Sequence, residues 1–152
     1  MIKYIEKGDI FHIEGVKNYA HGCNCAGAMG KGIALQFKAK YPKMYLEYKE
    51  LCNEGKFRPG DVFDYNYDGG HIYNLGTQST WRTKAKLEYI QSSVCKMLEL
   101  ALNDGVSAIA LPAIGAGLGG LKWDEVKSVM EKAASKFPHV DLYVVETYQG
   151  AD

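Results

Sequence analysis

Apolar residues in this chain fall into short alternating runs and into longer stripes at helical spacing. The first run alternates apolar with polar side chains and predicts a strand over 2–5. A second strand is expected over 19–24. A helix over 33–40 follows it; Pro42 ends that helix and opens another helical stretch over 43–53. Gly55, Pro59 and Gly60 break the pattern. Strands over 61–65 and 71–75 then flank the turn Asp68-Gly69-Gly70. Leu87, Ile90, Val94, Met97, Leu98 and Ala101 make a helical stripe that Gly105 ends. Trp123, Val126, Val129, Met130, Ala133 and Phe137 make another. Both stripes are core seams. Strands over 107–111 and 140–147 complete the series. Alternating strands and helices, with one hairpin, predict a three-layer α/β/α sandwich with a mixed central sheet.

Size and composition narrow the picture. The chain has 152 residues, of which 47% are hydrophobic. One domain over 1–152 with one packed core is expected. No repeat, linker or low-complexity tract divides it. Eighteen basic and eighteen acidic side chains cancel, so no strong pull on nucleic acid or anionic membrane is expected. No apolar run approaches the roughly 20 residues of a membrane helix, and the first residues do not read as a signal peptide. A monomeric, cytoplasmic protein is the expectation. Cys23, Cys25, Cys52 and Cys95 form no CxxC pair. His21, Cys23 and Cys25 share one strand face, but such ligands lie about 6–7 Å apart, too far to close around zinc. Buried thiols are expected there; neither a metal nor a cofactor is.

The chemistry concentrates in two glycine-rich loops, each between a strand and a helix-like segment. One reads Asn24-Cys25-Ala26-Gly27-Ala28-Met29-Gly30-Lys31-Gly32, the other Ile114-Gly115-Ala116-Gly117-Leu118-Gly119-Gly120. Free backbone N–H groups and a helix dipole make such a junction an anion site. Two of them suggest a clamp on a diphosphate. A P-loop is excluded because Cys25 and Gly32 stand where it needs glycine and Ser or Thr. Gly115, Gly117 and Gly120 satisfy G-x-G-x-x-G, but the chain after them is too short for a dinucleotide-binding fold. Lys31 is either a point charge at the phosphate or a solvated first-turn lysine.

These loops, together with Lys7-Gly8-Asp9-Ile10, with His21-Gly22-Cys23-Asn24 and with the run from Leu111 to Trp123, resemble the macrodomain family over essentially the whole chain. The resemblance implies that ADP-ribose or an ADP-ribosylated molecule is the partner. It implies that Asp9 accepts the adenine amino group and the Ile10 N–H meets the ring. Asn24 would hold the distal ribose. Gly27, Ala28, Met29, Gly30, Lys31, Gly32 and Ile33, with Ile114, Gly115, Ala116, Gly117, Leu118 and Gly119, would flank the diphosphate and distal ribose, with Thr77 beside them and Tyr148 near the adenine. Asp9 also fits an N-cap, Asn24 an Asx-turn and Tyr148 a surface aromatic. The nearest branch holds the ADP-ribose protein glycohydrolases, the DNA ADP-ribose glycohydrolase antitoxins and the ADP-ribose 1''-phosphate phosphatase.

Two positions depart from that branch. Its glycohydrolases carry a lysine nucleophile after the threonine, where this chain has Gln78, and its protein glycohydrolases carry an aspartate where this chain has Gly119. An amide is not a comparable nucleophile. Lys84 and Lys86 follow a few residues on, as a replacement amine or as surface lysines. His21 and Gln78 remain the catalytic candidates, His21 as acid, base or water-orienting group, or simply as a strand histidine. A hydrolase of an ADP-ribose derivative and a non-catalytic reader are therefore both carried forward. A third reading uses Trp81, Arg82, Lys84 and Lys86 as a stacking and phosphate surface for another nucleotide or a nucleic-acid end.

Overall fold

The computed structural model describes residues 1–151. They form strands β1 (Ile2–Gly8), β2 (Tyr19–Asn24), β3 (Val62–Tyr67), β4 (Gly70–Gln78), β5 (Ala108–Pro112) and β6 (Asp141–Tyr148), and helices α1 (Gly32–Lys40), α2 (Pro42–Asn53), α3 (Leu87–Asn103) and α4 (Trp123–Ala134). Short 3-10 turns lie at Ile10–His12 and Gly117–Gly119. The strands make one sheet in the order β1-β6-β5-β2-β4-β3. Only β3 runs antiparallel, joined to β4 by a two-residue turn; the other pairs are parallel. This is the mixed α/β/α sandwich that the alternation of elements predicts.

Alternation along each strand sorts side chains to two faces. Tyr73, Leu75, Ile109, Leu111, Leu142 and Val144 pack with α3 and α4. Tyr19, Cys23, Ile72, Ala110 and Val145 pack with α1 and α2 on the other face. The α3 stripe performs as its spacing requires: Ile90, Val94, Met97, Leu98 and Ala101 are all fully buried. Each large side chain in that row contributes about 1.5–3 kcal/mol by leaving water. α1 is different, since it buries only Phe37. No helix among the described residues is long and apolar enough to cross a membrane.

Element ends differ from expectation where tertiary contacts decide them. β4 runs on to Gln78 because β2 pairs along it, with Asn24 opposite Gln78. α4 stops at Ala134, yet Phe137 still reaches the core through a turn in which its N–H donates to the Ala134 carbonyl at 3.0 Å.

Candidate functional site

β2 and β5 are neighbours in the sheet, but the chain leaves them toward opposite faces. After β2 it enters α1; after β5 it enters α4. A crevice opens at the strand C-termini where such connections part, and both glycine loops lie there. They are neighbours: a Cβ added at Gly32 would sit 3.6 Å from Leu118 Cδ1.

Side chains hold the first loop. Asn24 Oδ1 accepts from the N–H of Ala26 at 3.0 Å and of Ala28 at 3.3 Å, and its Nδ2 donates to the Ala28 carbonyl at 2.8 Å. Two tyrosines of α2 close the loop from outside. Tyr48 Oη donates to the Asn24 carbonyl at 2.7 Å, and Tyr45 Oη to the Gly27 carbonyl at 3.2 Å. Packing holds the second loop. Gly115 has φ +76°, and a Cβ there would collide with Ile90 Cδ1. Only glycine fits both the conformation and the space.

Backbone donors of both loops are left unpaired at this edge. α1 starts after Lys31 with no side-chain cap and no acidic residue in its first turn, whereas α3 has Glu88 and α4 has Asp124 and Glu125. The N–H groups of Gly30, Lys31, Gly32 and Ile33, and of Gly115, Ala116, Gly117 and Leu118, have no acceptor among the described residues. Unpaired amides at a helix start form a cradle for an anion. Gly27 and Met29 are buried beneath the first loop; Gly30, Lys31 and Gly32 are exposed, and Ala28 and Ile33 are intermediate. In the second loop Ile114 and Gly119 are buried, Gly115 and Ala116 intermediate, and Gly117 and Leu118 exposed.

The other expected residues lie along the same edge. Asp9 follows β1 and Tyr148 ends β6, where Gly8 and Tyr148 pair. Asp9 acts as an N-cap, its Oδ1 accepting from the Phe11 N–H at 2.9 Å. Its Oδ2 accepts from the His12 ring and from the Ala151 N–H, each at 2.9 Å. Burial pushes its carboxyl up, but these backbone and imidazole donors outweigh burial and hold its pKa below the ordinary value. Ile10 is fully buried. Tyr148 packs edge-on against Phe11. The edge thus reads, from β1 to β4: Asp9, Tyr148, second loop, first loop, Thr77 and Gln78.

Thr77 is buried, with its hydroxyl 3.5 Å from the Cys23 carbonyl. Gln78 Nε2 donates to the carbonyls of Thr80 at 2.8 Å and Thr83 at 3.0 Å, so its amide ties down the loop over 79–86. Ala85 N–H fastens that loop to the Gly119 carbonyl at 2.9 Å. A Cβ at Gly119 would meet Ala85 Cβ at 3.1 Å and Gln78 Oε1 at 3.8 Å. The stem of Lys84 lies along Gly120. Trp81 is 58% exposed at the tip, and the Arg82 guanidinium lies 4.5 Å from its ring centre.

One expectation is corrected. His21 does not face the crevice. It is fully buried on the α1 face, stacked on Phe37 at 3.9 Å, with Nε2 2.6 Å from Asn74 Oδ1. Burial lowers its pKa to about 4 despite the Asn74 bond. At neutral pH it is an uncharged core histidine, with no surface from which to move a substrate proton. Asn24 is 9% exposed and spends its oxygen on the loop; it shapes the site as an Asx-turn. Of the thiols expected to be buried, Cys23 is, with Sγ 3.5 Å from His21 Nε2, closer than the strand spacing predicts; Cys25 is only partly buried, and burial, then Cys52 and Asp61, push its thiol up to about 12. Sequence reasoning missed Tyr45, Tyr48 and Phe37, whose helical positions carry no sign of which loop or strand they cover.

Residues 20–130 match the family model described as Macro domain. The chain is 37% identical over 125 residues to the "DNA ADP-ribosyl glycohydrolase" of Mycobacterium tuberculosis, covering 80% of this chain and 36% of that protein. It is 31% identical over 159 residues to the "ADP-ribose 1''-phosphate phosphatase" of Candida albicans, covering 95% of this chain and all of that one (100%). The chain thus spans about a third of the length of the mycobacterial relative. Among solved structures, the macrodomain of Mycobacterium tuberculosis DarG superposes with a TM-score of 0.88 at 34% identity, covering 96% of this chain and 97% of that one. The chain belongs to the Macro domain family.

Proposed function

We propose that this macrodomain binds ADP-ribose along the C-terminal edge of its sheet and hydrolyses an ADP-ribose derivative at the distal ribose. The observation that carries the reading is the pair of glycine loops meeting at the β2/β5 crevice with unpaired amides on both sides. Five strands from β1 to β4 span four spacings, about 19 Å. That extent suits an elongated nucleotide carrying a second sugar. The adenine belongs at Asp9, Ile10 and Tyr148; its amino group would take the place of the Ala151 N–H on Asp9. The diphosphate belongs between residues 27–33 and 114–119, with Lys31 at its edge. The distal ribose belongs beside Thr77 and Gln78.

The two relatives differ by name in the bond at the distal ribose, one a glycosidic link on DNA and one a phosphate ester. This chain takes the glycohydrolase role in our reading. Gln78 supplies no nucleophile, because its amide holds the 79–86 loop. Hydrolysis then relies on a water that passes its proton to an oxygen of the substrate diphosphate as it attacks the anomeric carbon of the distal ribose. The glycosidic bond breaks, the leaving base takes a proton from solvent, and loop amides hold the diphosphate. Trp81 with Arg82 at the rim suits a nucleobase on the leaving side.

A second reading, a reader that cleaves nothing, is favoured by the amide at position 78, the glycine at 119 and the burial of His21. Incubation with ADP-ribosylated DNA, ADP-ribosylated protein and ADP-ribose 1''-phosphate, followed by mass spectrometry, separates the two. Release of ADP-ribose is the expected result. Tight binding of ADP-ribose with no turnover selects the reader, and absence of both removes the whole reading.

A further inference from the structure

Three ligand-type side chains meet on the α3 face near the start of β4, away from the glycine loops. Asp64, His71 and Asp104 each bring one ligand atom within 4.8 Å of the others. Their convergence follows from the register. Asp64 and Tyr73 are direct partners across β3 and β4, and His71 lies two residues before Tyr73, so all three share one face. The His71 and Tyr73 rings stack at 5.5 Å with 3° between planes. His71 Nδ1 is 2.9 Å and 3.2 Å from the two Asp64 oxygens.

The lysines of the adjoining groove, Lys56 and Lys96, pair with Glu54 and Asp61 rather than with this cluster. Asp104 caps the C-terminus of α3, whose last turn has no basic residue. A carboxylate at that end adds to the negative pole of the helix dipole. No lysine or arginine among the described residues pairs with Asp64 or Asp104.

Tyr73 points to a ligand independently. The side chain is fully buried, and its hydroxyl has no hydrogen-bond partner among the described residues. A buried hydroxyl left unpaired costs about 1–3 kcal/mol. Its ring stacks on that of His71, so the unpaired side chain belongs to the same patch of the β3–β4 face as the three ligands.

We propose that Asp64, His71 and Asp104 bind a divalent first-row cation of the zinc class. One imidazole with two carboxylates suits zinc or manganese, whereas calcium and magnesium take all-oxygen sets. Ligands bonded at about 2.1 Å lie roughly 3–3.5 Å apart, close to the His71–Asp64 separation. Asp104, exposed at a helix end, closes the remaining distance. Solvent completes the coordination, and water on the ion gives the Tyr73 hydroxyl its partner. The ion ties the C-terminus of α3 to the β3–β4 hairpin. It also adjoins a groove of about 470 Å³ lined by Asp64, Glu99 and Asn103, among others, which no glycine-loop residue reaches. This is a structural site, independent of ADP-ribose chemistry.

The test is calorimetry and thermal melting of the untagged, chelator-treated full chain with Zn²⁺ and, separately, Mn²⁺. One Zn²⁺ per chain should bind and raise Tm. His71→Ala and Asp104→Asn should each weaken binding about tenfold or more, with folding checked by circular dichroism; the exposed Asp104 makes its variant the safer of the two. Tyr73→Phe should melt no lower than the parent without metal and gain less from zinc. No binding by the parent, or unchanged affinity in both ligand variants, overturns the proposal. So does zinc binding that disappears only in Cys25→Ser/Cys52→Ser.

Discussion

In the first glycine loop, Asn24, Tyr45 and Tyr48 bond the backbone into shape. In the second, Gly115 packs against Ile90 and Gly119 against Ala85, and no side chain bonds the turn over 115–118 among the described residues. Both loops leave amides unpaired at the same edge of the sheet. The difference shows that the backbone of a glycine loop can be fixed by polar side chains or by steric fit. It also predicts that the two loops fail differently.

Gly115→Ala should do the most damage. The new methyl meets a buried Ile90 and the residue is forced into a left-handed conformation. Together these cost about 3 kcal/mol, measurable as a lower urea midpoint. The second loop should shift in the folded variant and the first should not.

Acid should strike the other side. The His21 pKa is about 4 when folded against an ordinary 6.5. The unfolded chain then binds the extra proton between those values, so stability falls as pH drops from about 6.5 to 4 and is fully present above that window. The full effect is about 3 kcal/mol. His21→Gln should flatten this slope in pH-dependent urea melts. Since His21 stacks on Phe37 of α1, amide exchange in acid should rise first in α1 and the first loop.

Tyr48→Phe removes the one donor shared between the Asn24 carbonyl and its Oδ1 and should cost about 1–2 kcal/mol. Exchange over 25–30 should accelerate while 115–120 stays protected. Gln78→Ala is the smallest change. It frees the 79–86 loop for about 1 kcal/mol, and any hydrolysis should persist, because the amide is a strut. Loss of turnover with unchanged ADP-ribose affinity would return Gln78 to the chemistry.

The fold was legible because the core follows the periodicities. Leu142 and Val144 alternate with Tyr143 and Val145 between the two core faces, and the α3 stripe falls on one face. The glycine loops were legible because glycine clusters at strand ends have a physical cause. Residues whose role depends on a partner far along the chain were not. His21 has the same local sequence whether it faces solvent or Phe37, sixteen positions on. β4 ends at Gln78 because β2 lies beside it, and Asp64 meets His71 only through hairpin register.

The most direct measurement is an amide-resolved NMR titration with ADP-ribose. Resonances of residues 27–33 and 115–120 should move together and saturate at one ligand concentration, since both loops grip one diphosphate. If ADP-ribose binds and those amides stay still, or only one loop responds, the shared cradle does not exist.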